Sequence, residues 1–390
     1  MNLQEWKRRI LTAVQRSQEQ LFRIATELYH NPEVGLQEFK AADLLTGTLE
    51  QAGFRVDRGI AGMPTAFRAE WGSGGPTVAL LAEMDALPGM GHACGHNIIA
   101  ATAIGAARAL QESLPESAGR VVVLGTPAEE LGIGKVDMVA AGCFDHIDCA
   151  LMVHPSSRRQ VVKQYLGLAK VRFVFHGRAA HAGAYPEEGI NALDSVLLTF
   201  NGLNALRQQL RQDIRVHGII TEGGTAPNII PERASCYFYV RADDLAAVHE
   251  TRERLIACAE GAARATGCRL EVQEEPRVIA PVRPNKVLSQ LYAVQLAYLG
   301  LEESSSLPGK AKGTSDVGNV SQVVPTIHPH VPIGEGLRIH SESFARATIS
   351  GQGRAAVVEG ATALALTAAE YFASEQIRTE VAAEFQAAQG

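Results

Sequence analysis

Several features are missing from this sequence, and each absence narrows the reading. No apolar run approaches the ~18 residues that a membrane span needs. The opening stretch MNLQEWKRRILTAVQRSQEQ has basic residues but no apolar core or small-residue cleavage site behind them, so no signal peptide is expected. There is no basic surplus. The net charge of −6 argues against nucleic acid as the main partner, although a local basic pocket for an anionic substrate stays possible. There is no paired cysteine spacing either. Cys94, Cys143, Cys149, Cys236, Cys258 and Cys268 are scattered, which speaks against a disulfide framework and for a reducing cytoplasm. Internal repeats and low-complexity segments are also lacking.

What remains is a chain of 390 residues, 46% hydrophobic and 20% charged, which is ordinary for a soluble globular protein of two domains. Residues 3–29 have helical apolar spacing (Trp6, Ile10, Val14, Leu21, Ile24, Leu28), and a second helix is expected over about 39–52. TAFRAEW and PTVALLAEMD read as strands, AATAIGAARALQES as a small-residue helix, GRVVVLGTPAEE as a buried strand and CALMVHP as another. Buried strands alternating with helices predict a mostly parallel α/β sheet flanked by helices. The pattern changes near Tyr165. LAKVRFVFHG, a helix over about 189–210, IRVHGIITEGG, ERASCYFYVRADD, a helix over about 245–265 and CRLEVQEEP spell β-α-β-β-α-β, a ferredoxin-like α+β unit. It reads as an insert. The expected division is therefore residues 1–164 and 280–390 for the main domain and 165–279 for the inserted one. Further helices are expected over about 287–299 and 351–372, followed by a charged amphipathic tail.

The chemistry concentrates where strands end. GHACGHN follows the VALLAEMD strand, TPAEE ends the next, VHP ends a third, and GLRIHSESF closes a late segment. Ligands in open α/β sheets gather at the carboxyl ends of the strands. Cys94, His96, Glu129, Glu130, His154 and His340 fall at such places, and thiolate, imidazole and carboxylate together suit zinc or a related divalent ion. The set is too large for one structural site and about right for a two-metal site with a shared ligand. Taken singly, a strand-end histidine is usually hydrogen-bonded surface, a buried cysteine is packing and Glu129-Glu130 is a solvated turn. It is their coincidence on one sheet that points to chemistry.

GHACGHN after EMDALPG, with TPAEE and VHP in order behind it, resembles the aminoacylase and carboxypeptidase family of dinuclear metallohydrolases. The resemblance runs from YHNPEVGLQEFKAADLL to IHSESF. It is strongest to the branch with indole-acetyl-amino-acid hydrolases, p-aminobenzoyl-glutamate hydrolases and aminoacylase-one-like dipeptidases. It implies two divalent metal ions (Zn, Mn or Co) on Cys94, His96, Glu130, His154 and His340, with Glu129 as general base and Asp85 orienting a ligand. In the insert it implies that His181 helps to polarise the scissile carbonyl across a homodimer, and that Asn228 and Arg241 grip a substrate carboxylate. Arg suits that task because its planar fork matches a carboxylate. The branch often has Asp after CGH; here Asn97 stands there, as in the dipeptidases, which also resemble this chain at TSDVGNVS and IHPH. Of the other histidines, His92 is expected to face away from Cys94, His328 and His330 to line the pocket mouth, and His176, His217 and His249 to be structural or exposed.

The function expected is cytoplasmic, metal-dependent hydrolysis of the amide bond in N-acyl amino acids or small dipeptides with a free carboxylate. A p-aminobenzoyl-glutamate-type or indole-acetyl-amino-acid-type hydrolase is the nearer alternative. A non-catalytic, metal-stabilised binding protein on the same fold is the alternative of another class. The insert is expected to make a homodimer, with neither nucleic acid nor membrane as partner.

Overall fold

The computed structural model describes residues 2–304 and 313–389. It divides into two compact units: Met1–Gln164 with Val282–Lys312 and Asp316–Gly390, and Tyr165–Pro281 with Gly313–Ser315.

The first unit is built on a six-stranded sheet. Thr77–Glu83 lies near its middle, with every residue buried. Arg120–Thr126 and Cys149–Leu151 flank it in parallel, and Thr326–Ile327 extends the parallel part beyond Cys149–Leu151. Phe67–Gly72 and Arg55–Arg58 add two antiparallel strands at the other edge. The sheet is thus mostly parallel and flanked by helices, as the alternating sequence pattern predicts. The strand Arg55–Arg58 escapes notice because RVDR has only one apolar residue to reveal it.

CALMVHP, read as one strand, is two. After Leu151 the chain leaves the sheet, and His154–Ser156 pairs in parallel with His330–Pro332 in a separate two-stranded ribbon. The two segments depart together: the Met152 N–H donates to the Ile327 carbonyl at 3.2 Å and the His154 N–H to that of Pro329 at 2.9 Å. Two seven-residue helices, Gly134–Ala140 and Val317–Val323, are too short to show a 3.6-residue period in the sequence.

The helix His96–Ser113 is nearly all buried. It packs between the N-terminal helix Leu3–His30 and the helix Gly351–Ala373. Small residues allow the close approach. A Cβ on Gly105 would lie 2.7 Å from Leu21 Cδ1 and 2.9 Å from Ala361 Cβ, and one on Gly360 would lie 2.8 Å from Thr102 Cγ2. Asn97, at the start of the same helix, is fully buried. Its amide donates to the Ala25 carbonyl and to Thr348 Oγ1, each at 3.0 Å.

The second unit is an antiparallel sheet in the order Arg269–Glu274, Gly167–His176, Arg233–Ala242, Arg215–Glu222. Val171, Phe173, Phe175, Cys236 and Phe238 pack one face against helices Ala192–Leu206 and Leu245–Thr266. The helix expected over 189–210 is trimmed at its start by Asn191, whose side chain accepts from the Leu193 N–H, and ends in a 3-10 turn, Arg207–Gln209. The opposite face carries Lys170, Arg172, Tyr237, Tyr239 and Arg241, linked by cation–π contacts such as Arg172 over Tyr237 at 4.8 Å.

Replacing Gly105 with Val forces two methyl groups into this three-helix contact. Overpacking of this kind costs about 1–3 kcal/mol. Urea denaturation should show a lower midpoint with an unchanged slope, and an unchanged midpoint would show that the contact yields freely.

Candidate metal centre and active site

The parallel strands deliver their chemistry at one end. Glu83 is the last residue of its strand and Asp85 lies two beyond it. Glu129 and Glu130 follow Arg120–Thr126, His154 follows Cys149–Leu151, and His328 and His330 follow Thr326–Ile327. Cys94 and His96 stand where the helix His96–Ser113 begins. Gly95 between them has φ +84°, and a Cβ there would lie 2.4 Å from Pro155 Cγ, so this turn admits only glycine.

The donor atoms converge. Those of Cys94, His96 and His154 lie within 4.8 Å of one another, as do those of Cys94, Glu130 and His340, and those of His96, Glu129 and Glu130. Cys94 Sγ is 3.6 Å from His154 Nε2, and His340 Nε2 is 3.6 Å from Glu130 Oε1. Among the described residues His96 Nε2 and Glu130 Oε1 are buried with no hydrogen-bond partner, although Glu83 Oε2 lies 3.3 Å from His96 Nε2. An unsatisfied buried polar atom costs about 1–3 kcal/mol. Two of them facing a thiol and further imidazoles form a donor set that fits divalent cations.

The orientation of these groups is fixed from behind. His96 Nδ1 contacts Asp85 Oδ1 at 2.9 Å and the Asp85 carbonyl at 2.8 Å, which leaves Nε2 facing the other donors. His154 Nδ1 is likewise held by the Pro155 carbonyl at 2.7 Å. Burial, opposed by Glu83 and reinforced by His96 and Lys163, takes the His154 imidazole down to about 3, which favours its neutral form. Burial also pushes the Cys94 thiol up. A cation is what stabilises such a sulfur as thiolate. His340 sits at φ +62°, a strained conformation for a non-glycine residue, and its N–H donates to the Ala93 carbonyl at 2.9 Å.

Beside the donors lies a group that the sequence pattern does not reveal. Lys135 is fully buried, with Nζ 2.7 Å from Glu83 Oε1 and 2.6 Å from Asp316 Oδ1. Its N–H donates to Asp316 Oδ2 at 2.9 Å. Burial opposes its charge, and Asp316 and Glu83 outweigh that opposition and hold it above the ordinary lysine range. Glu83, Glu129 and Asp316 form a further close carboxylate group. Burial, reinforced by Glu83 and Asp316, raises Glu129 well above the usual carboxylate range. The signals in the sequence are Glu83 ending an apolar strand and Asp316 within TSDVGNVS; neither singles out Lys135.

The structure corrects the expectation for IHPH. His328 and His330 are buried, not at a pocket mouth, with ring centroids 5.5 Å and 5.3 Å from that of His154. His92 is buried too, and bonds to the backbone of Leu28. The insert's three candidates lie in the second unit. His181 is exposed, and its Nδ1 accepts from the N–H groups of Gly183 at 3.3 Å and Ala184 at 3.1 Å, which puts the ring proton on Nε2. The exposed Asn228 is next to it, because the Ala182 N–H donates to the Asn228 carbonyl at 2.9 Å. Arg241 projects from the open sheet face over Tyr239 and donates to Thr314 Oγ1.

Comparison with known proteins bears on this arrangement. The family model described as "Peptidase dimerisation domain" matches residues 166–266. Xaa-Arg dipeptidase of Mus musculus is 38% identical over 97% of this chain and 92% of its own length. A p-aminobenzoyl-glutamate hydrolase chain of Escherichia coli is 34% identical over 78% of this chain and 67% of its own length. Among solved structures, a dinuclear metal binding peptidase of the M20 family from Bacillus subtilis shares the fold, with a TM-score of 0.72 at 21% identity over 91% of this chain and 99% of that one. On these similarities the chain belongs to the M20 peptidase family and is a metal-dependent hydrolase of amide or peptide bonds.

Proposed function

We propose that Cys94, His96, Glu130, His154 and His340 hold two divalent cations, and that Glu129 is the general base for hydrolysing the amide bond of an N-acyl amino acid or dipeptide with a free carboxylate. One observation carries this reading: the Cys94 sulfur belongs to two different close donor sets, as a ligand shared between two ions would. When bound, the ions supply Lewis-acid activation of a water and of the scissile carbonyl. Glu129 takes the water's proton as the water attacks and passes it to the leaving nitrogen. Its raised proton affinity suits both halves of that task. Adjacent Glu130 serves as ligand, so neither carboxylate has to do both. Asp85 orients His96 through Nδ1 and Glu130 through its N–H. Zinc is favoured by the thiolate, with manganese and cobalt as the other metals to test.

In the second unit, Arg241 and Asn228 are assigned to the substrate's carboxylate, and the Nε2–H of His181 to the carbonyl across a homodimer. Support for the dimer comes from the matched dimerisation domain and from apolar side chains that this unit exposes: Ile219, 62% exposed on an edge strand, and Leu197, 45% exposed on a helix. Among the described residues no helix is long and apolar enough to cross a membrane, and all six cysteines are unpaired, which supports a reducing compartment such as the cytoplasm. The mouse relative makes dipeptides ending in arginine the first substrates to try, with p-aminobenzoyl-glutamate and indole-acetyl-amino acids as comparators.

Glu129→Gln should lower kcat by roughly 10²–10⁴-fold while metal content, measured by plasma mass spectrometry, stays at two per chain. Turnover near that of the wild type would remove the base assignment. Asp85→Asn should weaken metal retention by about 10–100-fold in competition with a chelator, as expected when a ligand's orienting partner is altered. Unchanged retention would mean that His96 needs no such support. Ile219→Asp should convert a dimer to a monomer in light scattering; a wild-type chain that is already monomeric would overturn the dimer.

A further inference from the structure

The N-terminal segment NPEVGLQEF carries none of the chemistry so far described, yet it reaches the site at two points. The Ala86 N–H, beside Asp85, donates to the Glu33 carbonyl at 2.8 Å, and Val34 bridges Ala86. The other point is the turn that presents Glu129. Ala128 has φ +58°, a left-handed conformation that is strained for an alanine. The far side of this turn closes on itself: the Gly132 N–H donates to the Glu129 carbonyl at 2.7 Å and the Ile133 N–H to that of Ala128 at 3.3 Å. The near side is held from elsewhere. The Ala128 N–H donates to Glu38 Oε1 at 2.8 Å, and Thr65 Oγ1 donates to Glu38 Oε2 at 2.8 Å. Glu38 is completely buried, and Gly35 lies against the same residue: a Cβ there would be 3.0 Å from Ala128 Cα.

We propose that Glu38 is a positioning residue for Glu129, holding Ala128 in its left-handed conformation so that the next carboxylate points at the attacking water. The inference rests on the reading of Glu129 as general base. Glu38 touches no reacting atom; it acts through one backbone N–H. Without that acceptor, Ala128 relaxes toward an ordinary conformation, the peptide plane entering Glu129 rotates, and the carboxylate swings away from its aim. A catalytic group misplaced by an ångström costs up to about 10²-fold in rate.

The test measures kcat, KM and metal content for Glu38→Ala, Glu38→Gln and Gly35→Ala, using the dipeptide or acyl amino acid that the wild-type enzyme hydrolyses. Glu38→Ala should lose ~10–100-fold in kcat with KM little changed and metal content at two per chain. Glu38→Gln should recover most of this loss, because its Oε1 still accepts from Ala128 while its amide donates to Thr65. Gly35→Ala should also lower kcat, by pressing a methyl group on Ala128. A Glu38→Ala enzyme with wild-type kcat overturns the proposal, as does a Glu38→Gln enzyme as impaired as the alanine variant. If Glu38→Ala fails to fold, Gly35→Ala decides: lower kcat at constant KM supports the proposal and unchanged kcat overturns it. Glu129→Gln separates the two readings. An active Glu129→Gln enzyme removes the base assignment itself, whereas an inactive one beside a fully active Glu38→Ala enzyme removes only the role of Glu38.

Discussion

One buried carboxylate ties the site together. Asp85 accepts from His96 Nδ1 at Oδ1 and from the backbone N–H of Glu130 at Oδ2, the latter at 3.0 Å. The two partners come from different parts of the sheet, a helix start and a strand end, so this single side chain sets their relative position. Burial would raise its proton affinity, but His96 and the donated N–H hold it below the ordinary range. The imidazole it aims has one nitrogen committed and the other turned to the neighbouring donors. The geometry of the proposed ligands is thus a consequence of hydrogen bonds made behind them, which is how metal sites are commonly stiffened.

Charge balance constrains the same region. Glu83, Asp85 and Asp316 are buried outright, Glu129 and Glu130 nearly so, and Lys135 is the buried ammonium set among them. Removing so many anions from water is costly unless cations accompany them. Lys135 answers Glu83 and Asp316. The remaining acids and the Cys94 sulfur call for further positive charge, which the two proposed divalent ions would supply. Asn97 follows the same logic: directly after His96, a neutral amide makes two donated bonds where another carboxylate would add to the excess.

Much of this was legible in the sequence, for a physical reason. A fully buried parallel strand must be continuously apolar, so polar residues at its end stand out, and VALLAE, VVVLGT and CAL all advertise their ends in this way. The β-α-β-β-α-β order of the second unit was equally plain, because alternation on a half-covered sheet survives in LAKVRFVF and SCYFYVRA. Pairwise closeness was not legible. Nothing local marks Lys135 as the partner of Asp316, 181 positions later, or Glu38 as the partner of Ala128, 90 positions later. The burial of His328 and His330 was hidden similarly, because it depends on the chain leaving the sheet beside His154, and that departure is made jointly by two distant segments.

The interruption of the first unit by the second has a consequence for synthesis. The strand Thr326–Ile327 that extends the parallel sheet, and His340 beyond it, are translated after the whole of Tyr165–Pro281. At roughly 5–20 residues per second, the ribosome spends on the order of ten seconds or more between His154 and His340. The second unit is continuous in sequence but for Gly313–Ser315, so nearly all of it has emerged while the first still lacks an edge. The nascent chain therefore presents Cys94, His96 and His154, three donors of the proposed site, well before His340 is made.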